Sequence, residues 1–128
     1  MEGLPKEYTM SNGLKIPSVG LGTVQAGNKD SMVNAIMNAG YALLDTAMIY
    51  KNEEVVGAAL AECFAQGKKI EDIFVTTKLW HTQYADVEGA ITNSLRKLNL
   101  DYVDLFLVHW PMGYYAEPQK PPRDGSSC

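Results

Sequence analysis

The strongest constraint on this chain is a repeat of about thirty residues, in which a short β-rich run is followed by a helical one. The β-rich runs YALLDTA, DIFVTTKLW and DYVDLFLVHWP begin near residues 42, 73 and 103. Between them, NEEVVGAALAECFAQG and ADVEGAITNSLRKLNL carry apolar residues at helical spacing. In the first, Val55, Ala59 and Cys63 lie beside Val56, Leu60 and Phe64; in the second, Val87, Ile91, Leu95 and Leu98 make the expected buried stripe. An earlier copy runs from SVGLGT into KDSMVNAIMNAG, where Val33, Ile36 and Met37 share a face and Gly40 stands where a helix would end. A helix between two strands carries the chain back along the sheet, so the strands it joins run parallel. Their near-continuous apolar character is that of strands covered on both faces. Four strands alternating with three helices make either a small doubly wound sheet or half of a barrel, and periodicity does not choose between them.

The flanks differ in kind. YTMSNGLKIP is expected to form a β-hairpin with Asn12-Gly13 as its two-residue turn. Glu53 and Glu54 fall in the first turn of a helix, where the helix dipole favours negative charge. Past Pro111 the pattern ends in a stretch holding Pro118, Pro121, Pro122 and Gly125. The expected division is therefore a structured unit over 1–111 and a poorly ordered loop or tail over 112–128.

A hydrophobic share of 46% is enough for a packed core. The net charge of −4 argues against a grip on nucleic acid, which needs clustered Lys and Arg. No apolar run is long enough for a membrane span, and MEGLPKEYTM lacks the layout of a signal peptide. Cys63 lies within a helical stripe and Cys128 is the last residue, so no disulfide framework is expected. The reading is a cytoplasmic protein with no call for a metal, a membrane or a nucleic acid.

Two readings of the site compete. In the Rossmann reading, Gly20-Leu21-Gly22 follows a strand and Asp45 ends the next one, but Gln25 stands where the third glycine belongs. The next helix begins only near Asp30, too far on for those glycines to sit against its N-terminus. The other reading follows the polar residues. Asp45, Lys78 and His109 end successive strands, and Tyr50 lies five residues past Asp45. Parallel strands bring their carboxyl ends to one rim, the usual place for an active site. Singly, each residue has a plainer explanation, such as a turn cap or a lysine reaching for solvent. Together, four proton-handling groups converge on one rim.

The segments GLGT, GYALLDTAMIYKNEEVVGAAL, FVTTKLW and LFLVHWP, in this order, resemble the signatures of the aldo-keto reductases, and the stretch from Asp45 to Gly57 is the most specific of them. The resemblance implies a (β/α)₈ barrel of the TIM type, of which this chain holds the first four strand–helix units as a half-barrel behind an N-terminal hairpin. It implies reduction of an aldehyde or ketone with NADPH as cofactor, and a catalytic tetrad of Asp45, Tyr50, Lys78 and His109. Tyr50 would be the general acid, with Lys78 stabilising the phenolate left behind. Asp45 would hold Lys78, and His109 would bind the carbonyl oxygen. Gly22, Thr23 and Asp45 would lie by the cofactor, and Val24, Trp80, His109 and Trp110 by the substrate. Many relatives carry Trp where this chain has Val24. His81 is expected to be solvated and Met48 to be an apolar loop contact.

A whole barrel typically takes ~250 residues against 128 here, so a truncated or alternatively spliced product, or a fragment, is expected. In this family most cofactor contacts come from the second half, which puts activity of this chain alone in doubt. The alternatives are a Rossmann-like nucleotide-binding domain and a non-catalytic half-barrel that binds or regulates. Unpaired strand edges would favour a homodimer.

Overall fold

The computed structural model describes residues 3–113; the rest of the expected tail, 114–128, lies outside the described residues. The chain opens with an antiparallel hairpin, β1 (Glu7–Thr9) and β2 (Lys15–Pro17), with Tyr8 opposite Ile16. Its turn is not the expected two-residue Asn12-Gly13. The Gly13 amide donates to Met10 O, the Met10 amide donates to Leu14 O, and Gly13 sits at φ +85°. That is a three-residue loop, Ser11 to Gly13, closed by a glycine in the left-handed region. The Asn12 side chain accepts from the Leu14 amide rather than turning the chain itself.

The repeat follows as β3 (Leu21–Gly22), α1 (Lys29–Met37), β4 (Leu43–Asp45), α2 (Glu53–Ala65), β5 (Phe74–Leu79), α3 (Val87–Leu98) and β6 (Leu105–Val108). The α1 helix starts at Asn28, whose side chain accepts from the Ser31 amide, and α3 starts at Asp86, whose side chain accepts from the Gly89 amide. Asn99 closes α3 in the left-handed conformation at φ 55°.

Strand order decides the architecture. The four strands run parallel in the order β3-β4-β5-β6, each beside its predecessor in sequence. Right-handed crossovers that always step in the same direction put every helix on one face. Accordingly α1 packs on α2 and α2 on α3. A doubly wound sheet would reverse its order and carry helices on both faces, so the Rossmann alternative fails. The sheet is the first half of a barrel.

The core lies between helices and sheet: Met32, Val33 and Ile36 from α1, Val56, Leu60 and Cys63 from α2, with Leu44 and Val75 below them. Val75 is therefore on the helix side of β5, and Thr77 with it, while the pleat turns Phe74, Thr76 and Lys78 to the other side. The hairpin stands at the amino ends of the strands, where Glu7, Lys15 and Pro17 meet Phe74 and Asp104 around a cleft of about 340 Å³. That cleft is at the opposite end of the sheet from the polar rim.

Two expectations change. The buried face of α3 is Ala90, Ser94 and Leu98, whereas Val87 is 46% exposed. The reason is the close approach of α2: small residues face the contact, and the larger Ile91 and Leu95 flank it half-buried. Coverage on both faces holds for β5 but not for β6, whose Leu107 and Val108 are exposed. Among the described residues, β6 has a strand neighbour on one side only.

Candidate active site

The four rim residues meet. Asp45 is the last residue of β4, Lys78 the last but one of β5, and His109 follows β6, its amide donating to Leu79 O at 3.0 Å. Beyond Asp45, the buried Thr46 and Ala47 lead into a single 3₁₀ turn, Met48–Tyr50, which ends at Lys51 in the left-handed region at φ 55°. That tight turn brings the tyrosine back over the strand ends; Met48 is half-buried in it.

The Lys78 ammonium organises the site. It donates to Asp45 Oδ2 at 2.8 Å, to the Thr46 carbonyl at 3.0 Å and to the Tyr50 hydroxyl oxygen at 3.4 Å. Three donors meet three oxygens, so the charge is satisfied although its side chain is only 13% exposed. Because Lys78 donates to the phenol oxygen, the phenol's own proton is directed elsewhere. His109 stands edge-on to the Tyr50 ring at 5.8 Å between centroids, and edge-on to Trp80 at 5.2 Å. Burial holds the His109 imidazole below its ordinary 6.5, the Lys78 ammonium adds to this, and Asp45 opposes it. The ring is therefore neutral at pH 7. Its Nδ1 is buried and has no hydrogen-bond partner among the described residues.

Around this centre the expected substrate residues divide. Trp80 and Trp110 pack with their rings tilted by 50° and 4.9 Å between centroids, Trp80 half-buried and Trp110 45% exposed. His81 is not the solvated loop residue expected: its half-buried ring packs on Trp80 and stands edge-on to Trp110. Val24 is 60% exposed on the turn after β3. Gly22 pairs with Asp45 across the ladder, and no atom lies within 4 Å of where its Cβ would stand. Thr23, expected by the cofactor, is fully buried, and both its amide and its hydroxyl donate to the Asp45 carbonyl. The Thr23 hydroxyl is thus committed to bracing the strand end.

Sequence reasoning missed two residues beneath the rim, Asn52 and Glu53. Asn52 stands at the start of α2 yet makes no side-chain cap. Its carboxamide instead turns inward, accepting from the Thr46 hydroxyl and donating to the Thr23 and Ala26 carbonyls. Glu53 does not face solvent at the helix start but is 2% exposed, accepting from the hydroxyls of Thr77 and Ser94. The available signal was a pair of polar residues, Asn52 and Glu53, separated from the rim Tyr50 by one residue and read only as a helix start.

A family model described as the aldo/keto reductase family matches residues 12–119, most of the chain. The chain belongs to the aldo/keto reductase family. It is 51% identical over 107 residues to a D-galacturonate reductase of Hypocrea jecorina, covering 82% of this chain and 35% of that protein. It is 47% identical over 109 residues to a glycerol 2-dehydrogenase (NADP(+)) of Saccharomyces cerevisiae, covering 83% and 34%. Among solved structures, a Bombyx mori aldo-keto reductase in complex with NADP matches with a TM-score of 0.80 at 38% identity, covering 85% of this chain and 39% of that one. The aldose reductase from Schistosoma japonicum matches with a TM-score of 0.81 at 37% identity, covering 87% and 38%. The chain thus spans about a third of the length of these reductases.

Proposed function

We propose that this chain carries the proton-transfer apparatus of an NADPH-dependent carbonyl reductase that converts aldehydes or ketones to alcohols. The observation that carries the proposal is the Lys78 ammonium shared among Asp45, the Thr46 carbonyl and the Tyr50 hydroxyl. Tyr50 acts as general acid, giving its proton to the carbonyl oxygen as that oxygen gains negative charge. Lys78 stabilises the phenolate left behind, and Asp45 keeps Lys78 in place. The neutral His109 imidazole stands beside the phenol ring, where it orients the same carbonyl oxygen by a hydrogen bond. Trp80, Trp110 and Val24 form the apolar side of the substrate site.

The rim suits a nicotinamide. Open space lies over Gly22, which pairs with Asp45 across the ladder. Gly22, Asp45 and the backbone at Thr23 would hold that end of the cofactor. When bound, NADPH supplies the hydride that reaches the carbonyl carbon. The NADP named for the Bombyx mori structure and for the yeast relative supports this choice.

The test joins residues 1–111 to the remaining barrel of the Bombyx mori relative and follows NADPH oxidation with aldehydes. Tyr50→Phe and Lys78→Met should each lower kcat by about 10²–10⁴ while leaving NADPH affinity in place. Wild-type turnover by Tyr50→Phe would refute the assignment of the acid.

A further inference from the structure

We infer that Asn52 is the positioning residue of this site, holding the Lys78 ammonium against Tyr50 through Thr46 and, with the same carboxamide, holding the turn that carries Val24. The inference rests on the proposed roles of the rim residues and adds the element that keeps them in register.

Every polar atom of the Asn52 side chain is used. Oδ1 accepts from the Thr46 hydroxyl at 2.8 Å. Nδ2 donates to the Thr23 carbonyl at 2.5 Å and to the Ala26 carbonyl at 3.2 Å. Two carbonyls and one hydroxyl leave no other orientation for the amide. The residue is 5% exposed, so water is not at hand to replace a lost partner, and each lost partner leaves an unsatisfied polar group.

The partners lead directly to the rim. The main-chain oxygen of the same Thr46 is one of the three acceptors on Lys78. Thr23 donates twice to the carbonyl of Asp45, the residue that pairs with Lys78. Asn52 is also two residues past Tyr50, separated from it by the left-handed Lys51. That kink lets one side chain point to the rim while the other anchors below it. The span from Thr23 to Ala26 contains Val24 and Gln25, the latter at φ 59°. A non-glycine residue in that region is strained and persists only where its surroundings hold it. One carboxamide therefore connects the proton donor, its cation and the turn bearing the substrate-side Val24.

The test reads the ammonium directly in the 128-residue chain, without relying on turnover. Lysines are acetylated competitively with trace acetic anhydride and quantified one by one by mass spectrometry. Lys78, held by three oxygens, should label slowly in the native chain. Asn52→Ala, and the milder Thr46→Val, should each raise Lys78 labelling by about tenfold, the factor carried by a lost hydrogen bond to a charged group. Thr46→Ser, which keeps the hydroxyl, should restore slow labelling. Lys29, paired with Glu62 on the helix layer, should not change in any variant. Unchanged Lys78 labelling in Thr46→Val would overturn the inference, as would Lys78 and Lys29 rising together, which marks a purely structural role. Failure of the parent reading is distinguishable, since it shows as retained turnover in Tyr50→Phe with Lys78 labelling behaving as stated.

Discussion

Gly57→Ala separates two effects that oppose each other at one position. Gly57 lies inside α2, where alanine would ordinarily stabilise the helix by about 1 kcal/mol. At this position a Cβ would stand 2.7 Å from Leu98 O, 2.8 Å from Leu98 C and 2.8 Å from Lys97 O, all main-chain atoms at the end of α3. Ordinary carbon–oxygen contacts are ~3.3–3.6 Å, so the helices must part by roughly half an ångström or more. A flexible side-chain tip could yield; the backbone before the Asn99 cap cannot do so without disturbing the cap. Overpacking of this kind costs about 1–3 kcal/mol. Parting the helices would also pull on Glu53, whose carboxylate bridges Ser94 of α3 and Thr77 of β5. With the propensity gain set against these costs, the expected net result is a loss of about 1–2 kcal/mol, or roughly 4–10 °C in Tm. Urea unfolding followed by circular dichroism measures it. Ala58→Gly, at the exposed neighbouring position, calibrates the propensity effect alone and should cost about 1 kcal/mol. If Gly57→Ala stabilises the chain by the amount that Ala58→Gly destabilises it, the close approach of α2 and α3 does not limit this position and the reasoning fails.

Three further outcomes follow from the rim and the open edge. Because His109 is held below 6.5 in the folded chain, the unfolded chain binds the extra proton first; stability should fall as pH drops from 6.5 through the lowered value and be insensitive to this group above 6.5. An NMR titration midpoint for His109 above 6.5 would reverse that sign. Val24→Trp, at a 60% exposed position proposed to face the substrate, should weaken turnover of bulky carbonyl substrates more than of small aldehydes in the completed barrel; equal losses would show that Val24 does not face substrate. The 128-residue chain, with Leu107 and Val108 exposed on β6, should associate at micromolar concentration, and the occupant we expect at that edge is a second copy. Sedimentation giving a compact monomer would contradict this.

Much of the layout was legible in the sequence because it is local. The faces of α1 and α2 follow from apolar spacing, and parallel strands from the length of the unit between them; the caps at Asn28 and Asp86 came from the structure. The rim residues were legible as well, since a strand end is a position in the chain and parallel strands share one end. Turn geometry was only partly legible: Gly13 marks a left-handed position, but both a two-residue and a three-residue loop need one there. Strand order, which separates a half-barrel from a doubly wound sheet, was open to periodicity, because the same local pattern suits either; the family resemblance pointed to the barrel and the tertiary structure decided it. The buried face of α3 depended on how closely α2 approaches, through Gly57. Asn52 and Glu53 look like helix-start residues in the chain and become buried connectors only in the fold. Their partners lie 6 to 41 residues away, and a side chain's hydrogen bonds at that range are set by packing rather than by local preference.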